Sequence, residues 1–175
     1  MTMRIRSAAR TLCADKRAVA LIEFALALPP LLILLAIVID LGRAYHARLV
    51  LLRALTAGAL YAFEQGSTVT SATATDLRAS ITTIVQQSAD DASLTVTIRL
   101  NGQAGSANAD GYYCTTGYPV SWTTTGTKSV SCPDHTMSAK FVAIHVSGVF
   151  TPLFPFGSIA GSMFPLTETV LVRTK

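Results

Sequence analysis

Three cysteines and three histidines are the side chains of this sequence that could bind a metal or form a redox bond. Cys114, Cys132, His135 and His145 supply the ligand types of a Cys2His2 zinc site, but the compact paired spacing of such sites is missing. The positions of Cys114 and Cys132 favour a disulfide that closes a loop in an oxidising compartment over a zinc site. We therefore predict a disulfide between these two cysteines and no metal site.

Motifs for covalent or phosphate chemistry do not occur in the sequence. A serine nucleophile on a tight strand-to-helix turn would need Gly-x-Ser-x-Gly, whereas Ser158 stands in Gly-Ser-x-x-Gly within a Pro/Gly-rich turn. Asp90 and Asp91 are adjacent acids at a predicted helix end, not a spaced pair of catalytic carboxylates. Neither a phosphate loop nor a dinucleotide fingerprint is found. We predict no catalytic residue, no cofactor and no small-molecule substrate.

The basic charge of the chain is confined to its N-terminus. The net charge of the 175 residues is +4, and residues 1–17 hold five Lys or Arg against Asp15, so the rest is neutral. This distribution argues against nucleic-acid binding through a basic face. Half of the residues are hydrophobic and 14% are charged, whereas a soluble domain has roughly 25% charged residues. The composition favours a membrane protein.

Residues 18–39 form an apolar run with one charge, Glu23. As a helix this run would reach about 33 Å, which matches the hydrocarbon core of a bilayer. A signal peptide has an apolar region of only about 7–15 residues and a small-residue cleavage site, whereas this run continues directly into Asp40. More Lys and Arg precede the run than follow it, which predicts a cytoplasmic N-terminus, with Cys13, and an exported remainder.

Glu23 needs an explanation because a carboxylate within an apolar span is unfavourable by about 2.5–3.5 kcal/mol on insertion scales. One interpretation places it near the bilayer surface, among the headgroups. The other pairs it with a cation, such as a free amino terminus at Val19 of a neighbouring subunit. Pro29 and Pro30 interrupt the helical hydrogen bonds, so we also expect a kink or local unwinding there.

Residues 19–24, Val-Ala-Leu-Ile-Glu-Phe, resemble the processing region of type IV prepilins. The longer string of residues 17–29, together with Ile-Asp-Leu-Gly-Arg at 39–43 and Ala-Gly-Ala-Leu-Tyr-Ala at 57–62, is similar to the TadE-like family of pseudopilins. These are minor pilins of the tight-adherence pilus. Ala18 stands where the family usually has glycine before the cleaved bond, and alanine is also small.

The resemblance implies a minor pilin or pilus-assembly protein. A prepilin peptidase would cut between Ala18 and Val19, and the glutamate at position 23, followed by Phe24, would neutralise a neighbour's new amino terminus. The implied partners are membrane lipid, other pilin subunits, pilus-assembly platform proteins and the peptidase. The implied location is the bacterial inner membrane, crossed once, with a periplasmic or extracellular head that could enter the pilus.

Periodicity predicts the elements that follow the span. The first helix is expected to continue to Gln65 and to offer the head an apolar stripe: Leu41, Tyr45, Leu49, Leu52, Leu55, Ala59 and Phe63. A second helix is expected at residues 75–89, with Thr73 and Asp76 as an N-cap pair. Alternating residues predict strands at 94–100, 139–150 and 166–173. Residues 112–133 are predicted to be an irregular disulfide-tied loop with one short strand near 129–132.

The predicted fold is therefore α+β and pilin-like: a long N-terminal transmembrane helix, a second helix and a small antiparallel sheet. We divide the chain into a basic cytoplasmic leader (1–18), a transmembrane helix (19–40), an exported continuation of that helix (41–66) and an α+β head (67–175). Two other classes of protein stay open at this point. One is an enzyme or binding domain held by an uncleaved signal anchor, and the other is a protein secreted after ordinary signal cleavage.

Overall fold

The first helix is the longest element of the protein. The computed structural model describes residues 16–91, 93–117, 119–154 and 164–174. Helix α1 covers Lys16–Gln65, 50 residues, or about 75 Å at the standard rise. The helix is continuous through Pro29 and Pro30. The kink expected at these prolines stays a prediction. The leader up to residue 15, with Cys13, lies outside the described residues, as does Ser158.

The N-terminal half of α1 has the properties of a membrane span. Among the described residues, one helix is long and apolar enough to cross a bilayer, and its most hydrophobic 18-residue window is only 6% buried by the rest of the protein. An apolar surface of this size outside any protein core is stable in lipid and not in water. The finding fits a single-pass membrane protein.

A short 3-10 turn, Gly66–Thr68, leads from α1 towards helix α2, Ala74–Ala89. Leu77, Ile81 and Val85 of α2 are buried, as their helical spacing predicts. The predicted N-cap pair is wrong. Thr73 is at the cap position but makes no capping hydrogen bond, because its hydroxyl accepts the N–H of Thr70 at 3.0 Å instead.

Five strands follow: β1 Thr95–Leu100, β2 Tyr113–Thr116, β3 Ser121–Thr124, β4 Phe141–Phe150 and β5 Phe164–Arg173. Strands β1, β4 and β5 form an antiparallel sheet in that order, with β4 in the centre. Strand β4 pairs with β5 from Phe141 opposite Arg173 to Phe150 opposite Phe164. The three predicted strands are therefore present, and the fold is α+β.

The disulfide-tied loop is more regular than predicted. Strands β2 and β3 form a separate antiparallel hairpin, and the expected short strand near 129–132 is reduced to a single bridge between Ser131 and Met137. Trp122 of β3 explains the difference. Its ring packs edge-on against the ring of Phe141, with the two ring centroids 5.6 Å apart, and this contact holds the hairpin against the main sheet.

The predicted contact stripe of α1 is confirmed only in part. Leu55 is buried and Ala59 packs against the core, but Leu41 and Tyr45 are 68% and 64% exposed, and Leu52 and Phe63 are also exposed. Besides Leu55, the buried face consists of Leu51, Ala54, Gly58 and Ala62. This face packs on α2 and on the inner side of the sheet, where Ile81, Val142, Ile144 and Val146 complete the core.

Candidate assembly interface

The predicted processing region lies on one uninterrupted stretch of α1. Residues 18–24 are all helical. Val19 and Phe24 are 43% and 63% exposed, and Glu23 is exposed as well. Val19 and Glu23 are four residues apart, so they lie on the same face, about 6 Å apart along the axis. No protein group of the described residues covers this region, which leaves its apolar surface to lipid or to another helix.

Beyond the span, α1 presents a second apolar surface that the head leaves exposed. We call it the outer stripe: Leu41, Tyr45, Leu52, Leu60 and Phe63. Leu60 is 62% exposed, close to the values for Leu41 and Tyr45. At 100° per residue, positions 41, 45, 52 and 63 share one side of the helix. An exposed apolar stripe continuous with a membrane span is typical of a helix that packs against other helices.

A different side of α1 is built from small residues that let α2 approach closely. Ala54, Gly58 and Ala62 recur every four residues and are buried. A Cβ atom on Gly58 would lie 2.6 Å from Cγ2 of Val85, and 3.4 Å from Cγ2 of Ile81. Real Cβ atoms do not approach other carbons so closely, so this position has room for glycine only. The head therefore packs on one side of α1, and the side chains of the outer stripe stay exposed.

Asp40 is the first charged residue after the span, and it links the head to α1 at the point where the span ends. Its carboxylate accepts two backbone N–H groups of the β4–β5 connection, from Leu153 to Oδ1 at 2.8 Å and from Phe154 to Oδ2 at 3.0 Å. The Asp40 side chain is only 13% exposed. Both carboxylate oxygens thus have charge-assisted hydrogen bonds, the stronger kind. No pattern in the sequence indicated this role for Asp40.

Two arginines of α1 extend this attachment. Arg43 forms an ion pair with Asp40 at 3.2 Å, and its guanidinium lies 5.5 Å from the ring centroid of Phe150 at the end of β4. Arg48 donates to Glu168 of β5 at 2.7 Å. Because these arginines are 46% and 59% exposed, each ion pair contributes at most about 1 kcal/mol. Through Phe150 and Glu168, both arginines contact the β4–β5 hairpin.

Lys140 connects the end of the sheet where β4 begins to the turn after α1. It is 7% exposed, donates its Nζ to the carbonyl of Val69 and lies 5.5 Å from the ring centroid of Tyr112. Burial lowers the pKa of Lys140, and the charge of Asp110 opposes that shift. Hydrogen bonds from Ser71 lower the pKa of Asp110 in turn. The signal in the sequence was a lysine directly before the most hydrophobic strand.

Cys114 and Cys132 form the predicted disulfide, with their Cα atoms 5.6 Å apart. Because both sulfurs are bonded, neither can act as a thiolate ligand of zinc. The described residues contain no group of three or more His, Cys, Asp and Glu side chains that could hold a metal ion. His46 and His135 are exposed, and Nδ1 of His145 lies 2.8 Å from Oγ1 of Thr169 on the outer side of the sheet.

These features define a class: a small disulfide-bonded α+β head fused to a single apolar helix that it covers on one side. The family model of TadE-like proteins matches residues 18–60 of the chain. The match agrees with the resemblance given above and suggests a protein related to the tight-adherence pilus. It lies entirely within α1, and the head is outside it. No curated protein and no solved structure matches the chain.

Proposed function

We propose that this protein is a minor pilin or pilus-assembly protein of a tight-adherence pilus. It would pack through its N-terminal helix into the pilus or into the complex that initiates the pilus. The observation that carries the proposal is the distribution of apolar surface on α1. The head covers the side with Ala54, Gly58 and Ala62, whereas the span and the outer stripe stay exposed along the same helix.

The outer stripe supports helix-to-helix packing beyond the membrane. A protein that uses its helix only as an anchor has no need for exposed Leu41, Tyr45 and Leu52 after the span ends at Asp40. In a fibre or an initiation complex these side chains would be covered by helices of neighbouring subunits. The TadE-like match over residues 18–60 supports the same use, because it contains the span and most of the outer stripe.

The first step would be cleavage between Ala18 and Val19 by a prepilin peptidase. The leader, residues 1–18, would leave together with the net charge of +4 that it carries. The new amino group of Val19 would then pair with Glu23 of a neighbouring chain. That pairing offsets the unfavourable placement of both charges in an apolar surrounding.

The remaining parts of the chain take their roles from this assignment. Residues 19–40 would span the bacterial inner membrane, residues 41–66 would carry the outer stripe on the exported side, and residues 67–175 would form the head. Partners would be lipid, other pilin subunits and the platform proteins of the pilus system. The proposal assigns no catalytic residue and no cofactor.

The experiment that tests the proposal compares two glutamates of α1 in cells that make the pilus. Glu23→Ala is expected to leave the protein at its normal level in the membrane and to reduce the number of surface pili. Glu64→Ala is the matched control, because Glu64 is an exposed glutamate of the same helix beyond the span. Normal piliation with Glu23→Ala, or an equal loss with Glu64→Ala, would show that the pairing role is wrong.

A further inference from the structure

The β4–β5 hairpin carries exposed apolar side chains where its two strands leave their pairing. We call these residues the hairpin end: Val149, Leu153 and Phe164. Val149 and Leu153 are 63% and 60% exposed, and Phe164 is 42% exposed. A soluble head would be expected to place polar residues at such a turn.

The position of the hairpin end along α1 is fixed by Asp40. Leu153 and Phe154 bind the Asp40 carboxylate through their backbone N–H groups. Asp40 directly follows the apolar run of residues 18–39. The hairpin end therefore lies at the height where the membrane span of α1 ends, beside the helix and not above it.

The charge pattern at this height agrees with a membrane surface. The described residues beside the hairpin end, 146–154 and 164–167, contain no Asp, Glu, Lys or Arg. Two charged residues of α1 contact this part of the hairpin: Asp40 accepts the N–H groups of Leu153 and Phe154, and Arg43 lies against the ring of Phe150. Arginine and aromatic side chains are typical of the boundary between headgroups and acyl chains.

We propose that the hairpin end inserts into the outer surface of the same bilayer that α1 spans, so that the head has two membrane contacts. The occupant of this surface is lipid, because the hydrogen bonds to Asp40 place the hairpin end at the bilayer boundary. The second contact would fix the tilt and rotation of the head relative to the membrane before any partner binds. The inference rests on α1 spanning the membrane, as proposed above, and not on the pilus role.

The test measures whether lipid touches the hairpin end in the full-length protein, reconstituted into phosphatidylcholine vesicles. The chain has a single tryptophan, so a Trp122→Phe background allows one new tryptophan at a time. Leu153→Trp probes the hairpin end, and Leu34→Trp, at a 64% exposed position of the span, is the positive control. Met137→Trp is the negative control. Val149→Trp replaces Leu153→Trp if that variant does not fold.

Met137 is a matched negative control because it is also exposed but lies at the far end of the sheet. It is 52% exposed, and its carbonyl accepts a hydrogen bond from Arg173, which pairs with Phe141. Phe141 and Phe150 are the two ends of β4, about 30 Å apart at the rise of a β-strand. A tryptophan at Met137 should therefore stay in water.

We expect phosphatidylcholine brominated on its acyl chains to quench Leu153→Trp and Leu34→Trp, with emission shifted to shorter wavelength, and to leave Met137→Trp unchanged. Quenching of Leu34→Trp without quenching of Leu153→Trp would overturn the hairpin insertion while leaving the span intact. A short-wavelength shift of Leu153→Trp without quenching would also overturn it, since a protein surface would then cover the hairpin end. If Leu34→Trp is not quenched, the span itself is wrong.

Discussion

Replacing Gly58 by alanine tests whether close packing of α1 on α2 holds the head to the helix. The added Cβ would lie 2.6 Å from Cγ2 of Val85, a fully buried β-branched side chain that has little freedom to move. Overpacking of this kind destabilises by about 1–3 kcal/mol. Alanine also favours the helix by about 1 kcal/mol relative to glycine. The net expectation is a loss of up to about 2 kcal/mol in the free energy of unfolding.

Gly42→Ala is the matched control, because Gly42 is in the same helix and a Cβ there would meet no atom within 4 Å. It should gain up to about 1 kcal/mol from helix propensity alone. Thermal unfolding of the full-length protein in detergent, followed by the fluorescence of Trp122, measures both. Gly58→Ala should lower Tm by up to about 8 °C, and Gly42→Ala should not lower it. The reasoning is refuted if both variants raise Tm equally.

Three further predictions concern the head. Asn101→Ala should lower the free energy of unfolding, measured in denaturant, by about 2–4 kcal/mol. The substitution removes a buried amide that makes three hydrogen bonds, at a residue whose backbone φ is 51°. A decrease no larger than that caused by substituting an exposed residue would contradict this. Replacing Cys114 and Cys132 together by serine should cost about 3 kcal/mol by loop-closure entropy, and an unchanged Tm would count against it. Lys140 has a lowered pKa, so the unfolded state binds more protons and stability should rise with pH in the alkaline range below 10.5. Lys140→Met should flatten that rise in denaturation curves, and an identical pH profile would contradict the assignment.

Much of the secondary structure could be predicted because its periodicity is local. The alternation in β1 and β4 and the spacing of Leu77, Ile81 and Val85 in α2 gave bounds within a few residues of those observed. The disulfide was also predictable, because only two cysteines lie beyond the span. The β2–β3 hairpin was missed because its strands are only four residues long, and its position depends on Trp122 packing against Phe141.

The orientation of α1 could not be predicted from hydrophobicity because the helix is apolar on more than one side. The larger side chains at Leu41, Tyr45 and Leu52 suggested a core face, yet the small residues Ala54 and Gly58 face the head. Close helix packing favours small residues, so their spacing of four was the better signal. The role of Asp40 had no local signal, because its partner Leu153 is 113 residues away along the chain.

The central claim is that this chain is processed as a pilin-like subunit, and the N-terminus of the mature protein tests it most directly. The protein would be extracted from membranes of cells with and without the prepilin peptidase, and its mass and N-terminal sequence determined. We expect Val19 to be the first residue when the peptidase is present and residues 1–18 to be retained when it is absent. Retention of residues 1–18 in both strains, or a mature chain that begins after the apolar run, would contradict it.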